Sequence, residues 1–564
     1  VHHRDQTFTI SVVPLLEQVV GNVRLTVLVL FGSVVLVLLI ASANVANLLL
    51  SRAMGRQKEI AVRTALGASA HRLMRQLLTE SVVFGLLGGI GGLLLAAIGL
   101  SSVRGFNPGN IPRVDQIGID GRVLLFTLAV SILTSVLFGL APALRVLKVD
   151  LNGTLKSGGR SSQSEGGFDV KRHKLRSLLV VGELALSLVL LVCAGLLIRS
   201  FVRLLSVPPG FTADHVMSMR VSLTDPKYQA PPARIRFAED VQEKVKALPG
   251  VSVQGVISAL PLTSAAFWGT VFIEGYVPPA NAPEIQADVR GISPDYFRVM
   301  KIPLRKGRMF TESDTKEGQP VIVVDEKTVQ RFWPNEDPIG KRIRPDDGPE
   351  APYYSIVGVV GVVKQYGLDS SGRITLYFPF KQRPTPSLYV VARTASDPAA
   401  MSSAMLRAIH SVDPNIAVYD SATMEERLHH SLARQRFSMT LLGSFAAFAL
   451  ILAAIGVYGV LSYVVTQGTR DIGVRIMLGA QSSNILRMVL QHGLSLAGVG
   501  ILAGLVGAVI MGRIMQSLLF GIGAGDTVTF ITVAIFLIFV ALAASYIPAR
   551  RAIRVDPIVA LRNE

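Results

Sequence analysis

The stretch Glu59-Ile60-Ala61-Val62-Arg63-Thr64-Ala65-Leu66-Gly67-Ala68 returns near the other end of the chain as Asp471-Ile472-Gly473-Val474-Arg475-Ile476-Met477-Leu478-Gly479-Ala480. Each copy sets an acid four residues before an arginine, which puts the two side chains on one helix face. Each ends in Leu-Gly-Ala, where Gly67 or Gly479 can take the left-handed conformation that stops a helix. Both copies lie between long apolar runs. The reading is a short polar helix used twice, each time in a hairpin between membrane spans. A salt-bridged surface loop would account for one copy; recurrence between spans argues against it for two.

The 564 residues are 50% hydrophobic, with a mean hydropathy of +0.47, and a single soluble core stops growing well before this length. Seven apolar runs, near 25–50, 77–100, 123–140, 178–198, 437–463, 485–511 and 528–547, are long enough for a hydrocarbon layer of about 30 Å. The net charge of +17 is not a nucleic-acid signal, because much of the excess Lys and Arg flanks these runs. Hairpins 52–75, 145–176 and 470–487 and the tail with Arg550, Arg551, Arg554 and Arg562 are basic, whereas connectors 104–121 and 513–526 are not. That alternation sets the N-terminus and the large block outside, and the polar helices and the C-terminus in the cytoplasm.

The block from about Phe201 to Arg434 differs in kind. It has turns at Pro208-Pro209-Gly210 and Pro249-Gly250, β-rich runs at 321–324 and 356–363, and amphipathic stretches near 236–248 and 401–412. It reads as a soluble mixed α/β domain of more than one subdomain. Trp268 and Trp333 both fall in it and read as core. Within the spans, Gly85 with Gly89, and Gly88 with Gly92, stand four apart; such pairs either let two helices approach closely or mark a loosely packed helix. Cys193, the single cysteine, reads as packing. Glu183 is the acid set most deeply in a span and is therefore a functional candidate. It lies about two turns from Arg176, near the cytoplasmic end, where snorkelling is open to it.

The recurrence extends further. Pro142-Ala143-Leu144-Arg145, followed by Val149-Asp150, matches Pro548-Ala549-Arg550-Arg551, followed by Val555-Asp556. The repeated unit is therefore span, polar helix, span, short outer loop, span and basic tail, in the same orientation both times: a parallel duplication. The alternating piece Thr7-Phe8-Thr9-Ile10-Ser11-Val12-Val13 reads as the last strand of an outer domain that precedes the first unit.

The Glu/Asp-Ile-Gly/Ala-Val-Arg…Leu-Gly-Ala hairpin and the Pro-Ala-x-Arg motif resemble those of FtsX-type permeases of the MacB superfamily. The outer block resembles a MacB-type periplasmic core domain through Pro208-Pro209-Gly210-Phe211, Ser293-Pro294-Asp295-Tyr296-Phe297, Gly307-Arg308-Met309-Phe310, Phe332-Trp333-Pro334, Pro338-Ile339-Gly340-Lys341 and Val357-Gly358-Val359-Val360. The fused, duplicated layout is similar to that of the duplicated permeases of the superfamily, less a first span and a first periplasmic domain. The fold class expected is a multi-pass α-helical membrane protein, about seven spans in two parallel FtsX-like halves, with a large α/β extracytoplasmic core domain. The expected parts are a remnant at 1–23, a first permease unit at 24–150, a basic cytoplasmic linker at 151–175, a span at 176–203, the periplasmic domain at 204–434 and a second permease unit at 435–564.

The resemblance implies a permease subunit of an ABC-type export or mechanotransmission system in the bacterial inner membrane. A separate cytoplasmic ABC ATPase would bind ATP and magnesium, and force would pass to the periplasmic domains. By motif position, Glu59, Arg63 and Gly67, with Asp471, Arg475 and Gly479, would couple to the ATPase. Pro142, Arg145, Pro548 and Arg551 would close the spans, and residues 203–206 and 422–434 would form the stalk. The implied partners are that ATPase, the lipid bilayer and a periplasmic adaptor or envelope protein, with no nucleic acid.

No Gly-x-x-x-x-Gly-Lys-Ser/Thr loop occurs in these residues, so hydrolysis by this chain is not expected. Leu155-Lys156-Ser157-Gly158-Gly159-Arg160 faintly resembles an ABC signature and reads as linker. The histidines lie singly or as His2-His3 and His429-His430, without metal-ligand spacing on a helix face, and no Gly-x-Ser-x-Gly elbow occurs. The chain therefore reads as no enzyme, with no catalytic, cofactor or metal residues of its own. An ion-coupled transporter would need more intramembrane charge than Glu183 offers. A membrane scaffold whose outer domain regulates an envelope protein stands as the alternative.

Overall fold

A computed structural model describes residues 14, 24–55, 69–106, 118–146, 174–263, 267–279, 282–345, 348 and 351–553. The opening strand expected at 7–13 lies outside them. The chain divides into two compact units, 1–203 with 435–564, and 204–434. The first four apolar runs are helices: α1 (Arg24–Gly55), α2 (Ala70–Phe106), α3 (Gly121–Val146) and α4 (Lys174–Leu205). A helix satisfies its backbone polar groups within one segment, the condition for crossing a hydrocarbon layer.

The described residues of 204–434 build eleven strands: β1 (Val216–Ser222), β2 (Val251–Ile257), β3 (Trp268–Ile273), β4 (Gln286–Ile292), β5 (Leu304–Gly307), β6 (Val321–Asp325), β7 (Arg342–Pro345), β8 (Tyr354–Val360), β9 (Ile374–Pro379), β10 (Ser387–Thr394) and β11 (Ala417–Thr423). Between them run α5 (Pro231–Lys246), α6 (Tyr296–Met300), α7 (Glu326–Phe332) and α8 (Ser402–Val412), with α9 (Met424–Ser431) after β11. One part is the antiparallel row β11-β1-β10-β2. In α5, Phe237, Val241 and Val245 recur every four residues and so form one apolar face. That face and Met405 and Ile409 of α8 bury Met217, Met219, Val221, Leu388 and Val390. The alternate position Val216 joins a second core on the opposite face, with Tyr296, Phe297 and Tyr377.

The other part closes on itself. Strands β4-β3-β7-β8-β6-β9 pair in sequence, and β9 returns to β4 through a parallel ladder from Ala287↔Ile374 to Ile292↔Pro379. Closure leaves these six strands no free edge in the ring. Their cluster holds Val271, Ile273, Ile322, Val324, Ile343, Ile356 and Phe378 together with Trp333. Trp333 is core, as expected. Trp268 is not: it is 51% exposed, and the Arg373 guanidinium lies 4.8 Å from its ring centre. It starts β3, which becomes buried only from Val271 onward, and Phe267 before it is exposed as well.

After the α/β domain the chain continues through α10 (Ala433–Gln467), α11 (Thr469–Met477), α12 (Ser482–Ile514) and α13 (Thr527–Ile553). Six described helices, α1, α2, α4, α10, α12 and α13, are long and apolar enough to cross a membrane; the described apolar stretch of α3, 121–136, is shorter. Of the glycine pairs on α2, Gly85 and Gly89 face Ser135 and Ser131 of α3, so close that a Cβ at Gly85 would collide with the Ser135 hydroxyl. Gly88 and Gly92 face open space. One pair is a packing seam and the other is not.

Asp325 joins three pieces of the closed part. Its carboxylate accepts from the Thr328 amide at 2.8 Å, the Thr328 hydroxyl at 2.6 Å and the Thr375 amide at 3.0 Å, capping α7 and tying it to β9. Burial nevertheless pushes its pKa up to about 6, against those three donors. A carboxyl raised above its unfolded value adds stability that is fully present below the unfolded pKa and is lost as pH rises through the folded one. The loss across about pH 4 to pH 7 is on the order of 3 kcal/mol. Both tryptophans lie in this domain, so their fluorescence reports its unfolding in the full protein. The stability difference between wild type and Asp325→Asn is expected to shift against wild type as pH rises through about 6. A difference that does not vary with pH would contradict the assignment.

Candidate functional site

Helix α10 stops at Gln467, and Gly468 links it to α11: the Gly468 amide donates to Val464 and its carbonyl accepts from Ile472, each at 2.9 Å. The α11 helix has an inner and an outer side. Ile472 is 1% exposed and joins the core of the membrane unit, with Ile476 packed beside it. Val474, Met477 and Leu478 are exposed, Leu478 by 82%. Arg475 is half-buried, with one guanidinium nitrogen 2.9 Å from the Met488 sulfur of α12.

The end of α11 follows the expectation from Leu-Gly-Ala. Gly479 adopts φ +90°. Its amide donates to Ile476 at 3.0 Å and the Ala480 amide donates to Arg475 at 2.9 Å, the paired bonds that close a helix with a left-handed residue. The next residues turn directly into α12. The hairpin therefore holds a one-sided apolar and basic ledge on a short stiff helix. Glu59, Arg63 and Gly67 lie outside the described residues, as does the side chain of Asp471, so the second copy alone supplies this geometry.

In the span-closing motif, Pro548 is buried inside α13, and the helix runs on to Ile553. Ala549 and Ala552 are fully buried, while Arg551 is exposed. Pro142 and Arg145 are in α3, which continues to Val146; their side chains are outside the described set. Of the expected stalk, Arg203 is in the last turns of α4, and Ala422 and Thr423 belong to β11, paired to β1. The rest is α9, whose Thr423 and Glu426 form a reciprocal cap of 3.1 and 2.8 Å, and the first residues of α10.

Much of helix α4 is buried within the membrane unit. Val180, Leu184, Leu188, Leu190, Val192 and Leu196 are all buried. At its outer end Arg199 pairs with Asp526, which caps α13 through the Thr529 amide at 3.0 Å and hydroxyl at 2.6 Å. The Ser200 hydroxyl accepts from the Phe520 amide at 2.7 Å. At its other end the Arg176 guanidinium lies 3.8 Å from the Tyr463 ring centre.

Glu183 does not snorkel. It is 1% exposed, and among the described residues neither carboxyl oxygen has a hydrogen-bond partner. Its helix is enclosed by neighbours on the side it faces, so the side chain has no path to the interface. Asn44 of α1 stands beside it, 6% exposed, donating to the Leu452 carbonyl of α10 at 2.9 Å. The Ser187 hydroxyl, one turn on from Glu183, donates to the Ala449 carbonyl at 3.1 Å. Sequence reading missed Asn44; the signal was an amide side chain within an apolar span.

Residues 178–408 match the MacB-like periplasmic core domain, and residues 31–151 and 443–557 match the FtsX-like permease C-terminal family. A macrolide export ATP-binding/permease protein, MacB 2, of Aeromonas hydrophila is 28% identical over 323 residues, 53% of this chain and 48% of that protein. A pyoverdine export ATP-binding/permease protein, PvdT, of Pseudomonas savastanoi is 30% identical over 295 residues, 49% of this chain and 43% of that protein. The chain thus spans about half the length of the curated relatives it matches. The periplasmic region of MacB from Actinobacillus actinomycetemcomitans aligns at 15% identity and a TM-score of 0.28, over 40% of this chain and 94% of that one.

Replacing Gly479 by Ala is expected to strain the helix stop by about 1 kcal/mol, seen as faster hydrogen exchange at residues 479 and 480. Unchanged exchange would contradict the role given to Gly479. With two family models matching the membrane unit and the α/β domain, the chain belongs to the MacB/FtsX permease family.

Proposed function

We propose that this chain is the permease subunit of an ABC-type export or mechanotransmission system, built of two parallel permease units and worked by a separate cytoplasmic ATPase. The observation that carries the reading is the α11 ledge: Val474, Met477 and Leu478 exposed around a half-buried Arg475, on a short helix stopped hard at Gly479. Arginine is enriched at binding hot spots, and exposed apolar neighbours that shut out water from it suit a docking surface. The relatives named as export ATP-binding/permease proteins support the ATP-driven class. No phosphate-binding loop occurs in these 564 residues, so hydrolysis is assigned to the partner.

In this reading the ATPase grips the α11 ledge and its counterpart around Arg63 from the cytoplasm. Closure of the ATPase moves α10 and α12, which flank the ledge. Helix α4, 32 residues long and so about 48 Å, carries the displacement toward the α/β domain outside the membrane.

Reversing both Arg63 and Arg475 to Glu is expected to abolish stimulation of the partner's ATPase by the permease while the protein still folds. Retained partner binding and stimulation would contradict the coupling assignment. For orientation, Pro112→Cys is expected to react with an impermeant maleimide from outside, and Arg160→Cys only after the membrane is opened. The reverse pattern would overturn the topology. The scaffold reading draws on the exposed Trp268 with Arg373 across its face; function that persists in cells without any partner ATPase would favour it.

A further inference from the structure

Glu183 lies where α1, α4 and α10 meet, and its neighbours are all the wrong kind for a carboxylate. Gly456 of α10 has no side chain because the space is taken: a Cβ there would collide with Glu183 Oε2 and come within 3.0 Å of Asn44 Oδ1. Those two oxygens therefore converge on the same few ångströms. The Asn44 amide nitrogen donates to the Leu452 carbonyl, which accepts only, and Oδ1 is the Asn44 atom placed beside Gly456 with Glu183 Oε2. An ionised carboxylate and an amide oxygen are both acceptors and repel. A single proton between them converts the clash into a hydrogen bond.

The surroundings supply no other remedy. From α1 the facing group is Asn44, from α10 it is Gly456, and α12 meets α4 through Gly500 and Gly504, at Val181, Leu184, Ala185 and Leu188. None of these carries charge. The nearest cation on the same helix is Arg176, two turns away, stacked on Tyr463. Among the described residues, neither oxygen of Glu183 has a hydrogen-bond partner. Burying an unpaired carboxylate in an apolar interior is too costly to persist.

We infer that the folded protein binds a proton at Glu183, held as a neutral carboxylic acid whose O–H donates to Asn44 Oδ1. This acid–amide bridge, with the bond from Asn44 to Leu452, fastens α1, α4 and α10 together. It joins the first span of the N-terminal matched segment to the first span of the C-terminal one. The site is thus a proton-binding latch at the seam between them, and it stands whether or not the ATPase reading does.

The experiment uses the full chain in lipid nanodiscs at neutral pH. Infrared difference spectra between wild type and Glu183→Gln are expected to contain the C=O stretch of one protonated carboxyl, shifted in heavy water. Subtraction removes the other carboxyls, Asp325 included. Glu183→Gln offers the same donor and acceptor and is expected to melt with wild type. Glu183→Ala and Asn44→Ala are each expected to melt on the order of 4 °C lower, and the double variant no lower than Asn44→Ala, which already lacks the bond to Leu452. Absence of the carboxyl band, additive losses in the double variant or failure of Glu183→Gln to fold would each overturn the inference. So would a melting temperature that rises with sodium or potassium in wild type but not in Glu183→Gln, since a metal cation would then fill the place given to the proton.

Discussion

The membrane unit depends on how closely helix backbones can approach α4. Three glycines of α12 form the seam: a Cβ at Gly500 would lie 2.7 Å from the Leu184 Cβ, one at Gly504 2.8 Å from the Ala185 carbonyl oxygen, and one at Gly507 3.0 Å from a Val189 methyl. On the other side, Gly195 of α4 admits Thr529 of α13 in the same way. In hydrocarbon no water is released when helices meet, so contact density and rare polar bonds must hold them. Small residues supply the density. Ser187 to Ala449 and Asn44 to Leu452 supply the polar bonds. Removing the close approach would separate α4 from the helices that carry the α11 hairpin.

That constraint also gives the hairpin its sense. The Ile472 side of α11 is fixed in the same core as Leu184 and Leu188, so a push on its exposed side is delivered to packed helices and not to a free loop. The hard stop at Gly479 keeps α11 from running into α12 as one helix. In the proposed function this ledge on a close-packed bundle passes displacement on, because packed interiors shift as units and do not deform continuously.

Much of this was legible in the sequence. The apolar runs marked the helices, Leu-Gly-Ala marked the stop at Gly479, and Phe237, Val241 and Val245 marked the buried face of α5. What was not legible depended on non-local contacts. The parallel return of β9 onto β4 joins residues more than eighty positions apart, and no local pattern announces it. Trp268 has the composition of a core residue and the position of a strand edge. Glu183 sits near a basic flank by count, yet its depth is set by which face of α4 meets α1 and α10. Gly456 gave no sign in the sequence that its missing side chain makes room for that carboxyl.

The proposed function requires a partner that binds at the α11 ledge and hydrolyses ATP. Affinity purification of the membrane protein in mild detergent, with mass spectrometry of what accompanies it and an ATPase assay on the eluate, addresses this most directly. The expected result is an ABC ATPase in the eluate with activity that tracks the permease. A folded permease that emerges alone, without ATPase activity, would contradict the account.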